Sequence, residues 1–221
     1  MNGLKLLLAL LTVVQAIPWE SAHANRDPVV VRGLEFRHAT VAGGADPWLQ
    51  IRVLLHGGPN RDPEARHPRF NEAVRVQLSL ATRAGRATDS EPDFYRSAVD
   101  LVAVEDRRTI AVPFFLPPEI VKRDRLTATP FAALVEIEVG GRPLPFRREH
   151  AAGALTDRDR LVRFRKHVDQ KAAGTDGLLL PIYHTPFFST VRHGEFDSTP
   201  TYRRATTREN RSPRNPIEPE P

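Results

Sequence analysis

Histidine is the residue type in this chain that is best suited to hold a metal or to carry a proton near neutral pH. The sequence has no H-x-H or H-E-x-x-H spacing, which would place two imidazoles on one metal. His56 and His67 bracket one loop, and we expect both to be solvated. The other histidines beyond residue 24 are scattered, and we expect these also to be solvated loop residues: His38, His150, His167, His184 and His193. The sequence therefore predicts neither a metal site nor a cofactor.

Carboxylates, serines and glycine-rich loops offer no better catalytic site. Glu136 and Glu138 lie on one face of a predicted strand, whereas a glycosidase needs two carboxyl groups, roughly 5 to 9 Å apart, that flank a bond across a cleft. We interpret this pair, like Glu105-Asp106 at a predicted turn, as polar surface in water. The chain has no cysteine and no G-x-S-x-G, G-x-x-x-x-G-K-[ST] or G-x-G-x-x-G motif. We therefore expect a protein that is not an enzyme.

Basic residues are the remaining candidates for chemistry, because the chain carries 32 Lys+Arg against 27 Asp+Glu. The excess is concentrated between Arg142 and Lys171, where Phe146 and Phe164 are interleaved. Such a stretch can bind nucleic acid or an anionic surface, but acidic residues are interspersed here. We expect a solvated helix face or a protein-docking surface rather than an anion-binding site, and no nucleic-acid partner.

The first 24 residues predict a secretory signal peptide. Lys5 gives a positive start, residues 6–14 form a short apolar run, and Ala22-His23-Ala24 supplies the small residues that precede a cleavage site. The apolar run is well short of the roughly 20 residues that span a bilayer. We expect an exported protein, cleaved after Ala24, with no transmembrane segment in its mature chain.

Period-two alternation predicts six or seven strands between residues 28 and 145. In residues 74–80, for example, Val and Leu alternate with Arg, Gln and Ser. One apolar and one polar face per strand is the pattern of two antiparallel sheets that bury a shared core. We predict an immunoglobulin-like antiparallel β-sandwich over residues 28–145, with a barrel as the alternative. Residues 99–104 and 109–116 are predicted to form a hairpin with a polar tip.

Two segments favour helix over strand. Residues 117–124 begin with Pro and Glu, which predicts one or two helical turns that connect two strands across the end of the sandwich. A helix of about 16 residues is predicted between Thr156, as its cap, and Gly174, where it stops. Its narrow apolar stripe must lie on another surface, most simply the sandwich.

The C-terminal part of the chain is predicted to pack on the sandwich and then to leave it. Residues 178–188 are apolar but interrupted by Pro181 and Pro186, which predicts an extended edge segment. Residues 146–197 thus form a helix plus an extended segment on the sandwich. Residues 198–221 are rich in Pro and Arg, and we expect them to be disordered.

The long helix and the Pro-containing segment supply a candidate docking surface. In the alternative interpretation, both elements simply cover the sandwich. The candidate residues are Leu161, Phe164, Val168, Ile182, Tyr183, Phe187 and Phe188.

Several stretches of the chain resemble a bacterial family of pilus-like proteins, over about residues 28–204. They are residues 94–104, 112–125, 154–157, 160–164 and 179–187. The resemblance implies an exported immunoglobulin-like protein encoded beside type IV pilus-like machinery, in the periplasm or on the outer surface of a Gram-negative-type bacterium. Its partners would be other envelope or pilus-assembly proteins, with self-association as a further option. The chain lacks the long apolar N-terminal helix of a major pilin, so an accessory role is implied.

Taken together, these patterns predict a non-enzymatic structural or interaction protein of a pilus-like envelope assembly. The alternative is an exported carbohydrate-binding or other ligand-binding β-sandwich module. That alternative needs exposed, coplanar aromatic rings, and Trp48, Tyr95 and Tyr183 are its plausible platforms.

Overall fold

The computed structural model describes residues 27–42, 44–85, 91–191 and 200–203. The predicted signal peptide lies outside these residues, as does most of the predicted tail. The strands are β1 (Val29–Ala39), β2 (Trp48–Gly57), β3 (Phe70–Thr82), β4 (Asp93–Glu105), β5 (Thr109–Leu116), β6 (Ala132–Val139), β7 (Arg142–Pro143), β8 (Ala151–Gly153), β9 (Leu180–Pro181) and β10 (Tyr202–Arg203). The helices are α1 (Pro118–Arg123), α2 (Arg158–Lys171) and α3 (Phe188–Val191), with 3₁₀ turns at Arg148–His150, Ala172–Thr175 and Ile182–His184.

The strands form two antiparallel sheets, which confirms the predicted mainly-β architecture. One sheet has the order β1-β2-β5-β9, and the other has the order β10-β4-β3-β6-β7 with β8 also paired to β6. Alternate residues of β2 and β3 point into the space between the sheets, where they are fully buried. These residues are Leu49, Ile51, Val53, Leu55, Val74, Val76, Leu78 and Leu80.

The predicted hairpin of residues 99–104 and 109–116 is wrong. Strand β4 pairs with β3 and β10, whereas β5 pairs with β2 and β9. The polar turn between β4 and β5 therefore crosses from one sheet to the other, where Gly57 and Asp106 form an isolated bridge. Alternation shows that both strands bury one face in the core, but it does not tell which sheet each strand joins.

Helix α1 connects β5 of one sheet to β6 of the other, as predicted for residues 117–124. Helix α2 begins one residue later than predicted, because Asp157 rather than Thr156 is its cap. The Asp157 carboxylate accepts a hydrogen bond of 2.8 Å from the Arg160 backbone N–H, which satisfies one free donor of the first turn. A 3₁₀ turn over Ala172–Thr175 then ends the helical stretch.

The segment that follows α2 is only partly extended. Leu180 and Pro181 add a two-residue strand to the edge of β5, opposite Phe115 and Phe114. The chain then turns into 3₁₀ and α-helical conformation instead of continuing as an edge strand. Tyr202 and Arg203, inside the predicted disordered tail, form a strand on β4. In the described residues, no helix is long and apolar enough to cross a membrane.

Candidate docking surface

Helix α2 lies on the outer face of the six-stranded sheet. Its apolar stripe of Leu161, Phe164 and Val168 is buried against outward-facing side chains of the sheet. Those side chains are Ala81 on β3, Phe94 on β4, and Ala132 and Leu134 on β6. The stripe therefore covers the sandwich, and these three candidate docking residues face the chain's own sheet.

Ion pairs fix the two sides of α2 to the same sheet. Arg165 contacts Glu136 on β6 at 3.0 Å, and Asp169 contacts Arg96 on β4 at 2.8 Å. Both pairs are partly exposed, so each contributes about 0–1 kcal/mol and mainly orients the helix. The outward side of α2 remains polar apart from Val162, which is 57% exposed.

The segment that follows β9 covers the outer face of the four-stranded sheet around Phe115 of β5. Ile182 is buried against Phe115 of β5, so it also belongs to the packing of this chain. The Thr185 hydroxyl, itself buried, donates a hydrogen bond of 2.7 Å to the Ile182 carbonyl and closes this turn. Residues C-terminal to β8 thus cover part of the outer face of each sheet.

Three partly exposed aromatic residues lie where the segment after β9 packs on the four-stranded sheet. They are Trp48, Phe187 and Phe188, here called the aromatic patch. The Phe187 ring stacks on buried Phe115 with a centroid distance of 4.7 Å and an interplanar angle of 10°. The Trp48 ring meets Phe187 edge-on at 5.7 Å. Large, rigid and partly exposed rings of this kind are typical anchors of protein interfaces.

Tyr183 lies beside the edge of the sandwich, half-buried, and meets Tyr202 edge-on at 5.7 Å. Tyr95 is fully buried, and burial is the main cause that raises the pKa of its hydroxyl. Because Tyr95 is buried, the rings of Trp48, Tyr95 and Tyr183 do not form one exposed platform. This geometry opposes the carbohydrate-binding alternative, which required one.

A polar cleft of about 290 Å³ opens beside β6, and the predicted carboxylate pair lines it. Glu136 accepts a hydrogen bond of 3.1 Å from Gln77 and pairs with Arg165, whereas Glu138 is exposed. The two carboxylates lie side by side on one strand, as predicted, and Glu136 is held by its partners. This arrangement suits a structural ion pair on the sheet surface.

His150 is the histidine whose environment differs most from the predicted solvated loop. It is only 4% exposed and lines the polar cleft, with Phe146 edge-on at 5.9 Å. Burial, the largest cause, and the nearby Arg147 charge lower the pKa of His150. The prediction of a solvated His150 is wrong because the 3₁₀ turn of residues 148–150 packs beside β6. Among the described residues, no three His, Asp or Glu side chains are arranged to hold a metal.

No protein-family model matches the chain, and no curated protein matches it. A solved crystal structure of a chain from Akkermansia muciniphila is similar in fold, with a TM-score of 0.53 and 14% sequence identity. The similarity covers 80% of this chain and 93% of that chain. A likeness at this identity shows a shared fold, which extends over nearly all of the Akkermansia chain.

The sequence predicts that the helix and the Pro-containing segment pack on the sandwich, but sequence reasoning missed which outward-facing side chains they cover. The signal for these positions is present as breaks in the alternation, where Phe94, Leu134 and Phe115 occupy positions that should be polar on a solvated face. Apolar residues on both faces of a strand indicate that both faces are buried.

Proposed function

We propose that this chain is an exported, non-enzymatic interaction protein that serves as an accessory component of a pilus-like, type IV pilus-related cell-envelope assembly. The aromatic patch is the observation that carries the proposal. Trp48 is paired with Ala39 of β1, Phe187 is held by ring contacts with Trp48 and Phe115, and Phe188 packs against the same cluster. All three nevertheless remain partly exposed. A preorganised apolar surface of this kind suits protein docking because little conformational freedom is lost on binding.

The strand order supports the immunoglobulin-like part of the proposal. The order β1-β2-β5 corresponds to strands A-B-E of that fold, and β4-β3-β6-β7 corresponds to C′-C-F-G. The sequence stretches that resemble pilus-like proteins fall on this framework. Residues 94–104 form most of β4, and residues 112–125 run from β5 through α1.

Export and assembly are tested together in the native envelope. N-terminal sequencing of the protein recovered from envelope fractions should begin at Asn25, and pilus-like machinery proteins should be recovered with it. If the aromatic patch is the docking surface, Phe188→Ser should reduce their recovery by about tenfold or more, because truncation of an aromatic hot spot costs about 2 kcal/mol or more and 1.4 kcal/mol is tenfold in affinity. Val162→Ser is the matched control, since Val162 is an exposed apolar residue on α2, which packs on the other sheet.

Two results would count against the proposal in different ways. If the unaltered protein recovers no pilus-like component, the proposed assembly is wrong. If it recovers them and Phe188→Ser recovers them equally well, the assembly stands and the aromatic patch is not its docking surface.

A further inference from the structure

A second pocket, here called the basic pocket, lies between α2 and the end of the six-stranded sheet. It encloses about 330 Å³. Its apolar floor consists of Phe94, Phe131, Leu155 and Phe164, and its rim carries Arg83, Arg160, Arg163, His167 and Lys171. A pocket with an aromatic floor and a cationic rim suits an apolar group that is flanked by carboxylates.

The rim is only partly neutralised by the chain's own acids. Lys171 pairs with Glu91, and Arg160 pairs with Asp157 at 3.2 Å. Arg83 lies over the Phe131 ring, with its guanidinium carbon 3.9 Å from the ring centroid. Arg163 has no ion pair within the described part of the chain, so the pocket keeps an excess of positive charge.

The chain itself contains a segment of complementary chemistry beyond residue 203. Ile217 is the one bulky apolar residue of residues 204–221, and Glu218 and Glu220 follow it with only Pro between them. The four arginines of this stretch all precede Ile217. Residues 217–220 thus combine one apolar side chain with two carboxylates and no positive charge.

The distance from the end of β10 to the basic pocket matches the reach of this segment. Arg203 pairs with Asp100 of β4, and Phe94 of the pocket floor lies six residues away on the same strand, about 20 Å at 3.4 Å per residue. Ile217 follows Arg203 by 14 residues, and a random coil of that length has a root-mean-square span of about 20 Å. A tether whose length matches the span gives the highest effective concentration, in the millimolar range.

We propose that residues 217–220 dock on the basic pocket of the same molecule. Ile217 contacts the aromatic floor, and Glu218 and Glu220 pair with the cationic rim, including Arg163. The occupant is the chain's own segment because it combines complementary charge, an apolar anchor and a matching tether. This contact is independent of the aromatic patch and of the proposed pilus-like assembly.

A spin label tests the proposal directly, because the chain has no cysteine of its own. Pro221→Cys in the full chain carries a nitroxide, and amide signals of α2 are recorded by NMR. We expect loss of the signals around residues 160–171 by paramagnetic broadening. Arg163→Glu and Ile217→Ser should each restore them. Lys166→Glu is the matched control: it makes the same charge change on an exposed α2 residue outside the pocket lining, and should leave the broadening intact.

Three results would overturn the proposal. Unbroadened α2 signals would show that the segment does not reach the helix. Broadening that survives Arg163→Glu, in a protein with an unchanged circular dichroism spectrum, would show that it does not use the basic pocket. Broadening in a mixture of spin-labelled and isotope-labelled molecules, equal to that within one molecule, would show that a second copy supplies the segment.

Discussion

Replacing Phe164 by alanine tests whether α2 is an anchored part of the fold or a face kept free for partners. Phe164 is 5% exposed, and its ring lies 6.0 Å from that of Phe94 on β4. Truncating a buried Phe costs about 3–5 kcal/mol. We expect the lower end, about 3 kcal/mol, because Phe164 also lines the basic pocket and is therefore not enclosed on every side.

Urea unfolding measures this loss against a control on the same helix. With a slope of about 2 kcal/mol/M, a loss of about 3 kcal/mol lowers the midpoint by about 1.5 M. Val162→Ala should change the free energy of unfolding by no more than about 0.5 kcal/mol, because Val162 is 57% exposed. Phe and Val have similar helix propensities, so either replacement by alanine changes the propensity by a similar amount.

A midpoint shift in Phe164→Ala no larger than that in Val162→Ala would contradict this prediction. That result would mean that the apolar stripe does not hold α2 on the sheet. Hydrogen exchange separates local from global loss: amides of α2 should exchange faster in Phe164→Ala than amides of the central strand β3. A variant that keeps its stability but loses a protein partner would instead restore Phe164 as a docking residue.

Three further predictions concern the sandwich itself. Gly57→Ala should lower the free energy of unfolding by more than about 2 kcal/mol, because the new Cβ would lie 2.0 Å from a backbone oxygen of β4. A Cβ at Gly33 would meet open space, so Gly33→Ala should leave the stability nearly unchanged. Thermal unfolding of both variants tests this difference. Asp27→Asn should lower the free energy of unfolding, measured with urea, by about 1–3 kcal/mol, because the ion pair of 2.6 Å between Asp27 and Arg147 is mostly buried. Asp46 pairs with Lys122 at an exposed position, so Asp46→Asn should lower it by less than about 0.5 kcal/mol. Because the fold lowers the pKa of His150, this imidazole takes up a proton in the unfolded chain at a higher pH than in the folded protein, starting at about 6.5. Acid should therefore favour unfolding. Between about pH 7.5 and about pH 5, the unaltered protein should therefore lose more unfolding free energy than His150→Gln does; equal losses would show that His150 does not titrate this way.

Alternation along the chain was sufficient to predict the two sheets and their core. In β3, the residues from Val74 to Leu80 follow a strict apolar–polar period, and the apolar set is fully buried. The period of two is a property of the extended backbone itself. It is therefore the same whichever neighbouring strand the strand pairs with. The sheet that each strand joins and the register of neighbouring strands depend instead on contacts between distant residues.

The hairpin at Glu105–Arg108 shows the limit of this reasoning. A short polar turn between two strands is the usual signal of a hairpin, yet β4 and β5 join different sheets. Backbone contacts of this turn with Gly57, on β2, and with Arg69, before β3, hold the crossing in place. Such contacts join residues far apart in the chain, so local pattern does not reveal them.

The candidate docking residues fall into a buried group and a partly exposed group, and local sequence pattern does not separate the two. An apolar stripe on a helix predicts that the helix packs on something, but not whether that surface belongs to the same chain or to a partner. Leu161, Phe164, Val168 and Ile182 are buried within this chain, whereas Tyr183, Phe187 and Phe188 stay partly exposed. Whether each residue is buried depends on side chains from strands that are distant in the sequence.

The covered outer faces also bear on how the predicted sandwich and its C-terminal extension depend on each other. Without residues 146–191, Phe94 and Leu134 on one sheet and Phe115 on the other would face water. Exposed apolar patches of this kind promote association, and the chain has no disulfide to compensate for lost packing. The extension is therefore part of the fold rather than a detachable arm. A partner must accordingly use what the extension leaves accessible, and one such surface is the aromatic patch, which Phe187 and Phe188 of the extension form with Trp48 of β2.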